Sequence, residues 1–88
     1  MKLRGEFVVR QIMDSTVAIP VGQAALQLNG MILLNDVSKT IWECLEQETT
    51  PEHIVTALTD AFEVSPEEAL ADILDFIEKL RKMQLLDE

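Results

Sequence analysis

The chain has 88 residues, 48% of them hydrophobic, and 16 acids against 7 Lys and Arg give a net charge of -9. That length holds one compact domain over residues 1–88, and a domain so small buries only roughly 60% of its unfolded surface, so its apolar residues must be spent on the core. The apolar supply excludes intrinsic disorder, and the acidic balance excludes a surface built to neutralise phosphates; it suits a partner with a basic face.

Lys2 and Arg4 are not followed by an apolar stretch of the kind a signal peptide needs, and no later run approaches the ~20 residues of a membrane span. A cytoplasmic protein is expected. Residues 5–34 read as extended. Phe7 to Met13 is rich in strand formers, Thr16 to Ile19 is a second strand, and Asp14-Ser15 is the tight turn between them. Pro20 ends the second strand or puts it at an edge. Val21 to Gln27 is ambiguous. Asn29-Gly30 is a turn dipeptide, after which Met31-Ile32-Leu33-Leu34 reads as a third short strand.

Residues 35–84 read as helical. Asn35 or Asp36 caps a first helix, with Val37, Ile41, Cys44 and Leu45 on one side, Trp42 beside them, and an end near Gln47. Thr50 caps a second helix with Pro51 at its first position and an apolar stripe of Ile54, Val55, Leu58 and Phe62. Ser65 and Glu68 have capping-box spacing and open a third helix that runs to about Met83. Its stripe of Ile73, Phe76, Ile77, Leu80 and Met83 is widened by Ala69, Leu70 and Leu74. An apolar face that wide packs on two things. Either both lie inside the domain, or Leu70, Leu74 and Ile77 border a groove beside the last strand. Leu85-Leu86 follow as an apolar tail. The fold class is α+β: a three-stranded antiparallel sheet followed by a three-helix bundle, similar to a winged helix-turn-helix.

Catalytic chemistry is hard to assemble from this sequence. Cys44 is the only cysteine, so no intrachain disulfide or zinc cluster can be drawn, and Glu43 and Glu46 are the wrong sign to activate it. His53 is the only histidine and falls in the first turn of the second helix, a solvated position. Gly5, Gly22 and Gly30 are scattered and form no phosphate loop. Glu67-Glu68 and Asp72-Asp75 fit a helix-dipole complement and a solvated face. No enzyme, metal or cofactor is expected. A phosphopantetheine carrier needs its serine directly after an aspartate, and here Val37 separates Asp36 from Ser38. A DNA-reading third helix would bring Glu67, Glu68, Asp72, Asp75 and Glu78 towards phosphates. A purely structural or oligomerising domain, with a homodimer as its form, stays open.

The order and spacing of these pieces resemble the pyrroloquinoline-quinone biosynthesis protein D family. Leu28 to Asn35, the helix with Ile41-Trp42 and Leu45, Thr50 to Val55 with Leu58, Val64 to Ala69, and then Asp72, Phe76, Leu80 and Leu85-Leu86 carry the likeness across residues 6–86. The resemblance implies a recognition element for ribosomally made precursor peptides. Such an element binds the leader segment and works beside a maturation enzyme, often a radical S-adenosylmethionine enzyme. It also implies a site. The leader would pair as an extra strand on Met31, Ile32, Leu33 and Leu34, with side-chain pockets at Leu70, Ile73, Leu74 and Ile77.

Overall fold

A computed structural model of the chain describes all residues but Asn29, and for Gln27 the backbone alone. The strand formers near the N-terminus build a three-stranded antiparallel sheet from β2 (Glu6–Ile12), β3 (Ser15–Val21) and β4 (Ile32–Leu34), in the order β2-β3-β4. A short β1 (Lys2–Leu3) precedes it, and a one-turn helix α1 (Ala24–Gln27) occupies the ambiguous stretch between β3 and β4. The helices α2 (Asp36–Leu45), α3 (Pro51–Ala61) and α4 (Pro66–Lys82) follow, then β5 (Leu86–Asp87). The α+β class, the three strands and the three long helices are as expected.

The tight turn falls one residue earlier than the composition suggests. Ile12 pairs with Ser15, so the turn residues are Met13 and Asp14, and Met13 takes φ 57°. Asp14-Ser15 is the more usual turn composition, but the pairing of Phe7 with Pro20 and Val9 with Ala18 sets the register, and the turn residue is forced to comply. The expected Asn29-Gly30 turn rests on Asn29, outside the described residues; Gly30 has φ 100°.

Pro20 neither ends its strand nor sits at an edge: β3 is the central strand and continues through it to Val21. The alternation of an antiparallel ladder explains this. Residues flanking a two-residue turn exchange both hydrogen bonds, so Ile12–Ser15, Arg10–Val17 and Val8–Ile19 are the bonded pairs of β2 and β3. Thr16, Ala18 and Pro20 therefore turn their backbone groups to the other side. There β4 pairs only with Thr16 to Ala18. Pro20 lies past the end of β4, where the N–H it lacks has no acceptor to serve.

One face of the sheet carries Phe7, Val9, Ala18, Ile32 and Leu34 into the core; Val8, Arg10, Ile12, Val17, Ile19 and Leu33 point the other way. The core is closed by Ile41, Trp42 and Leu45 of α2, Ile54 and Leu58 of α3, and Ala69, Ile73, Ile77 and Leu80 of α4. Trp42 is 1% exposed and meets Phe7 edge-on, with ring centroids 5.0 Å apart. The wide indole thus joins the helices to the sheet.

Helix starts follow the sequence signals. Asn35 accepts from the Ser38 N–H at 2.8 Å while Ser38 Oγ accepts from the Asn35 N–H, also at 2.8 Å, closing a capping box. Thr50 caps α3 with Pro51 at its first turn. Ser65 caps α4 by accepting from the Glu68 N–H, and the Glu68 carboxylate takes the Ser65 hydroxyl. The apolar tail is not loose. Leu85 and Leu86 are buried, and β5 pairs with β1 through Leu3 and Leu86. Gly5 makes that closure possible. It takes φ 96°, and a Cβ there would lie 3.2 Å from the Ala24 Cβ.

Candidate functional site

The sheet has two outer strands: β2 borders a hollow shared with Trp42 and Glu46 of α2, and β4 borders one shared with α4. The alternation that accommodates Pro20 also orients β4. Thr16–Leu34 and Ala18–Ile32 are bonded pairs, so Ile32 and Leu34 spend their backbone groups on β3. Leu33 pairs with Val17 at the non-bonded position, so its N–H and C=O point off the free edge. Two residues on, the same side belongs to Asn35. Its N–H is already given to Ser38 Oγ, and its C=O accepts from the Lys39 N–H at 2.8 Å. The helix cap therefore ends the open stretch of edge at one end. Leu33 is the strand residue with both backbone groups free for a guest strand.

Beside this edge runs a groove of about 460 Å³ between β4 and α4. Ile32, Leu33 and Leu34 form the strand wall; Phe76, Lys79, Leu80 and Met83 form the helix wall. Asp14 and Ser15 of the hairpin border it beside Asn35. The groove continues past Asn35 and Ser38 into a second hollow bordered by Val37, Ile41, Asp72, Asp75, Phe76 and Lys79.

The helical repeat explains why these α4 residues share a wall. Ala69, Ile73, Ile77 and Leu80 project into the core. Asp72, Phe76, Lys79 and Met83 follow one flank of that stripe, spaced by four, three and four residues. Leu70 and Leu74 lie on the opposite flank. Leu70 borders a separate depression with Val55, Glu52, Pro66 and Glu67, at the junction of α3 and α4.

The residues expected from the sequence are therefore only partly brought together. Ile32, Leu33 and Leu34 line the groove, and Leu33 is 70% exposed. Met31 lies beside them and is exposed. Ile73 and Ile77 are core residues, and neither lines the groove or the hollow that continues it. Leu70 and Leu74 are exposed but face away from β4. The apolar face of α4 is wide, but its two flanks serve different neighbours: Phe76, Lys79, Leu80 and Met83 line the groove beside β4, and Leu70 lines the depression beside α3.

The charges of the site follow from the same flank. Its ionisable residues are Asp14, Asp72, Asp75 and Lys79. Lys79 has no carboxylate within 4.0 Å among the described residues, whereas Arg81 is held by Glu78 at 2.8 Å and Glu88 at 2.7 Å. Hydrogen bonds from Arg81 keep the Glu88 carboxyl below its usual range. Cys44 is half-buried, and burial, with Glu43 adding to it, pushes its thiol up, away from the reactive thiolate. No group of three or more His, Cys, Asp or Glu suited to a metal ion occurs among the described residues.

A family model, Coenzyme PQQ synthesis protein D (PqqD), matches residues 15–86 of the chain. This chain belongs to the PqqD family. Among solved structures, the PqqD fold seen here is similar to TbiB1 in complex with the TbiA(beta) leader peptide, with a TM-score of 0.73 and 28% identity. That match covers 99% of this chain and 95% of TbiB1. No curated protein matches the sequence. Among the described residues of this PqqD protein, no helix is long and apolar enough to cross a membrane.

Proposed function

We propose that this protein binds the leader segment of a ribosomally made precursor peptide as an added strand on β4, with the leader's inward side chains in the groove against α4. The observation that carries this reading is the open backbone pair of Leu33 beside the apolar wall of Phe76, Leu80 and Met83. Strand addition supplies affinity through main-chain bonds, and alternate side chains supply specificity through pockets. TbiB1, similar over nearly the full length, is a leader-peptide complex.

The role is capture and presentation. In this reading the protein does no chemistry itself, and the modification is made by a partner enzyme, a radical S-adenosylmethionine enzyme, in the cytoplasm. Ordering a flexible leader costs roughly 2–5 kcal/mol, which keeps affinity moderate and lets the product leave. Duplex DNA is a poor alternative ligand. Glu67, Glu68, Asp72, Asp75 and Glu78 are all exposed along α4, and their charge opposes phosphate contact. The direct experiment is titration with candidate precursor peptides drawn from the short reading frames around the gene, followed by their leader and core halves separately. Saturable one-to-one binding of the leader half alone is expected. Binding through the core half, or of neither, overturns the proposal.

A further inference from the structure

We infer that Lys79 is a specificity-determining residue of the groove and selects a guest strand with an acidic side chain next to its apolar anchor. This rests on the peptide-binding reading above and deepens it. The backbone ladder available to a guest is short, because the Asn35–Ser38 cap consumes the backbone groups that would extend it beyond Leu33. Main-chain bonds are blind to sequence, so a short ladder leaves discrimination to the side-chain walls. On the strand wall those side chains are apolar. On the helix wall Phe76, Leu80 and Met83 are apolar as well, and Lys79 stands among them as the one cation among the described residues lining either part of the groove.

Lys79 is also available. No carboxylate lies within ion-pair distance of it among the described residues, while its neighbour Arg81 is doubly engaged by Glu78 and Glu88. Lys79 is exposed, and a carboxylate that a bound guest holds beside its ammonium is attracted to it at short range. The other ionisable groups facing the groove sharpen the choice. Asp72 and Asp75 lie towards the start of α4, and Asp14 lies at the hairpin end. All three lie towards the Asn35 end of the groove, where they repel a second acid, so the favoured guest has one carboxylate at a fixed offset from its apolar anchor.

The test uses a display library of random short peptides selected on the intact wild-type protein, Lys79→Gln and Lys79→Glu, with circular dichroism checking that all three fold. On the wild type, Asp or Glu is expected at one offset from an apolar residue. On Lys79→Gln that preference disappears, and on Lys79→Glu it turns to Lys or Arg. A selected peptide and its amide analogue (Glu→Gln or Asp→Asn) then differ by about tenfold in affinity for the wild type, or about 1.4 kcal/mol, and bind Lys79→Gln equally. An unchanged consensus and an unchanged ratio on all three proteins overturn the role of Lys79 and leave peptide binding standing. A library from which no peptide is enriched on any of them counts against peptide binding itself and takes this inference with it.

Discussion

Leu33→Pro and Ile32→Pro differ by one position and are expected to fail in opposite ways. Proline removes a backbone N–H and is tolerated on an edge strand where that N–H faces outwards. At Leu33 the lost N–H is the outward one, and the replaced side chain is 70% exposed, so little packing is lost. Folding should weaken by only about 1 kcal/mol, the scale of an edge-strand propensity change. Leader binding loses one ladder hydrogen bond, worth ~1 kcal/mol, and the proline ring intrudes where the guest carbonyl would approach. The sum is a tenfold or greater loss of affinity, about 1.4 kcal/mol or more. At Ile32 the lost N–H is bonded to Ala18 at the heart of the sheet, and the side chain packs on the core. That variant should unfold at markedly lower urea. Leu33→Ala keeps the N–H and should bind within a few-fold of wild type. Urea denaturation followed by Trp42 fluorescence gives stability, and calorimetric titration with the leader gives affinity. If Leu33→Pro binds like the wild type, or if Ile32→Pro is as stable as Leu33→Pro, the assigned ladder orientation is wrong.

Other consequences are equally checkable. Leu74→Glu should leave both folding and leader affinity nearly unchanged, because Leu74 is half-exposed on the flank of α4 turned away from β4; a large loss of affinity in titration would move the groove to the other flank. Trp42→Ala removes a fully buried indole and its edge contact with Phe7 and should cost about 3–5 kcal/mol, a large part of the stability of a small domain, so an unchanged denaturation midpoint would show that Trp42 is peripheral. Cys44 should alkylate slowly at neutral pH and speed up only above the ordinary thiol range, since burial favours its neutral form; rapid iodoacetamide labelling of the folded protein at pH 7 would contradict that environment.

Much of the fold was legible because its signals are local. Asn35, Thr50 and Ser65 announce helix starts, and the apolar repeats of Ile54 with Leu58 and of Ile73 with Ile77 and Leu80 mark buried faces. What escaped depends on partners distant in sequence. The strand formed by Leu86 needs Leu3 beside it, and the passage of β3 through Pro20 needs β4 to stop at Ala18. The candidate site shows the same division. Its strand was readable from the short apolar run after Gly30. Its helix wall was not, because the sequence gives the width of the apolar face of α4 but not the side on which β4 lies. Leu70 and Leu74 are the more apolar choice, yet Phe76, Lys79 and Met83 have the right direction. A polar residue in a binding wall leaves no hydrophobic signature, so Lys79 was visible only as one of three cations near the end of a helix.

The central claim is that a leader peptide adds to the free edge of β4. Amide hydrogen exchange of the isotope-labelled protein, with and without the leader, tests it residue by residue. In the free protein the Ile32 and Leu34 amides should be protected by β3, and the Leu33 amide should exchange freely. With the leader bound, Leu33 should become protected while Asn35, already bonded to Ser38, changes little. The opposite edge of the sheet offers the contradicting result. Val9 on β2 also points its amide outwards, and if leader binding protects Val9 and leaves Leu33 exchanging freely, the leader binds on the wrong side of the sheet for this account.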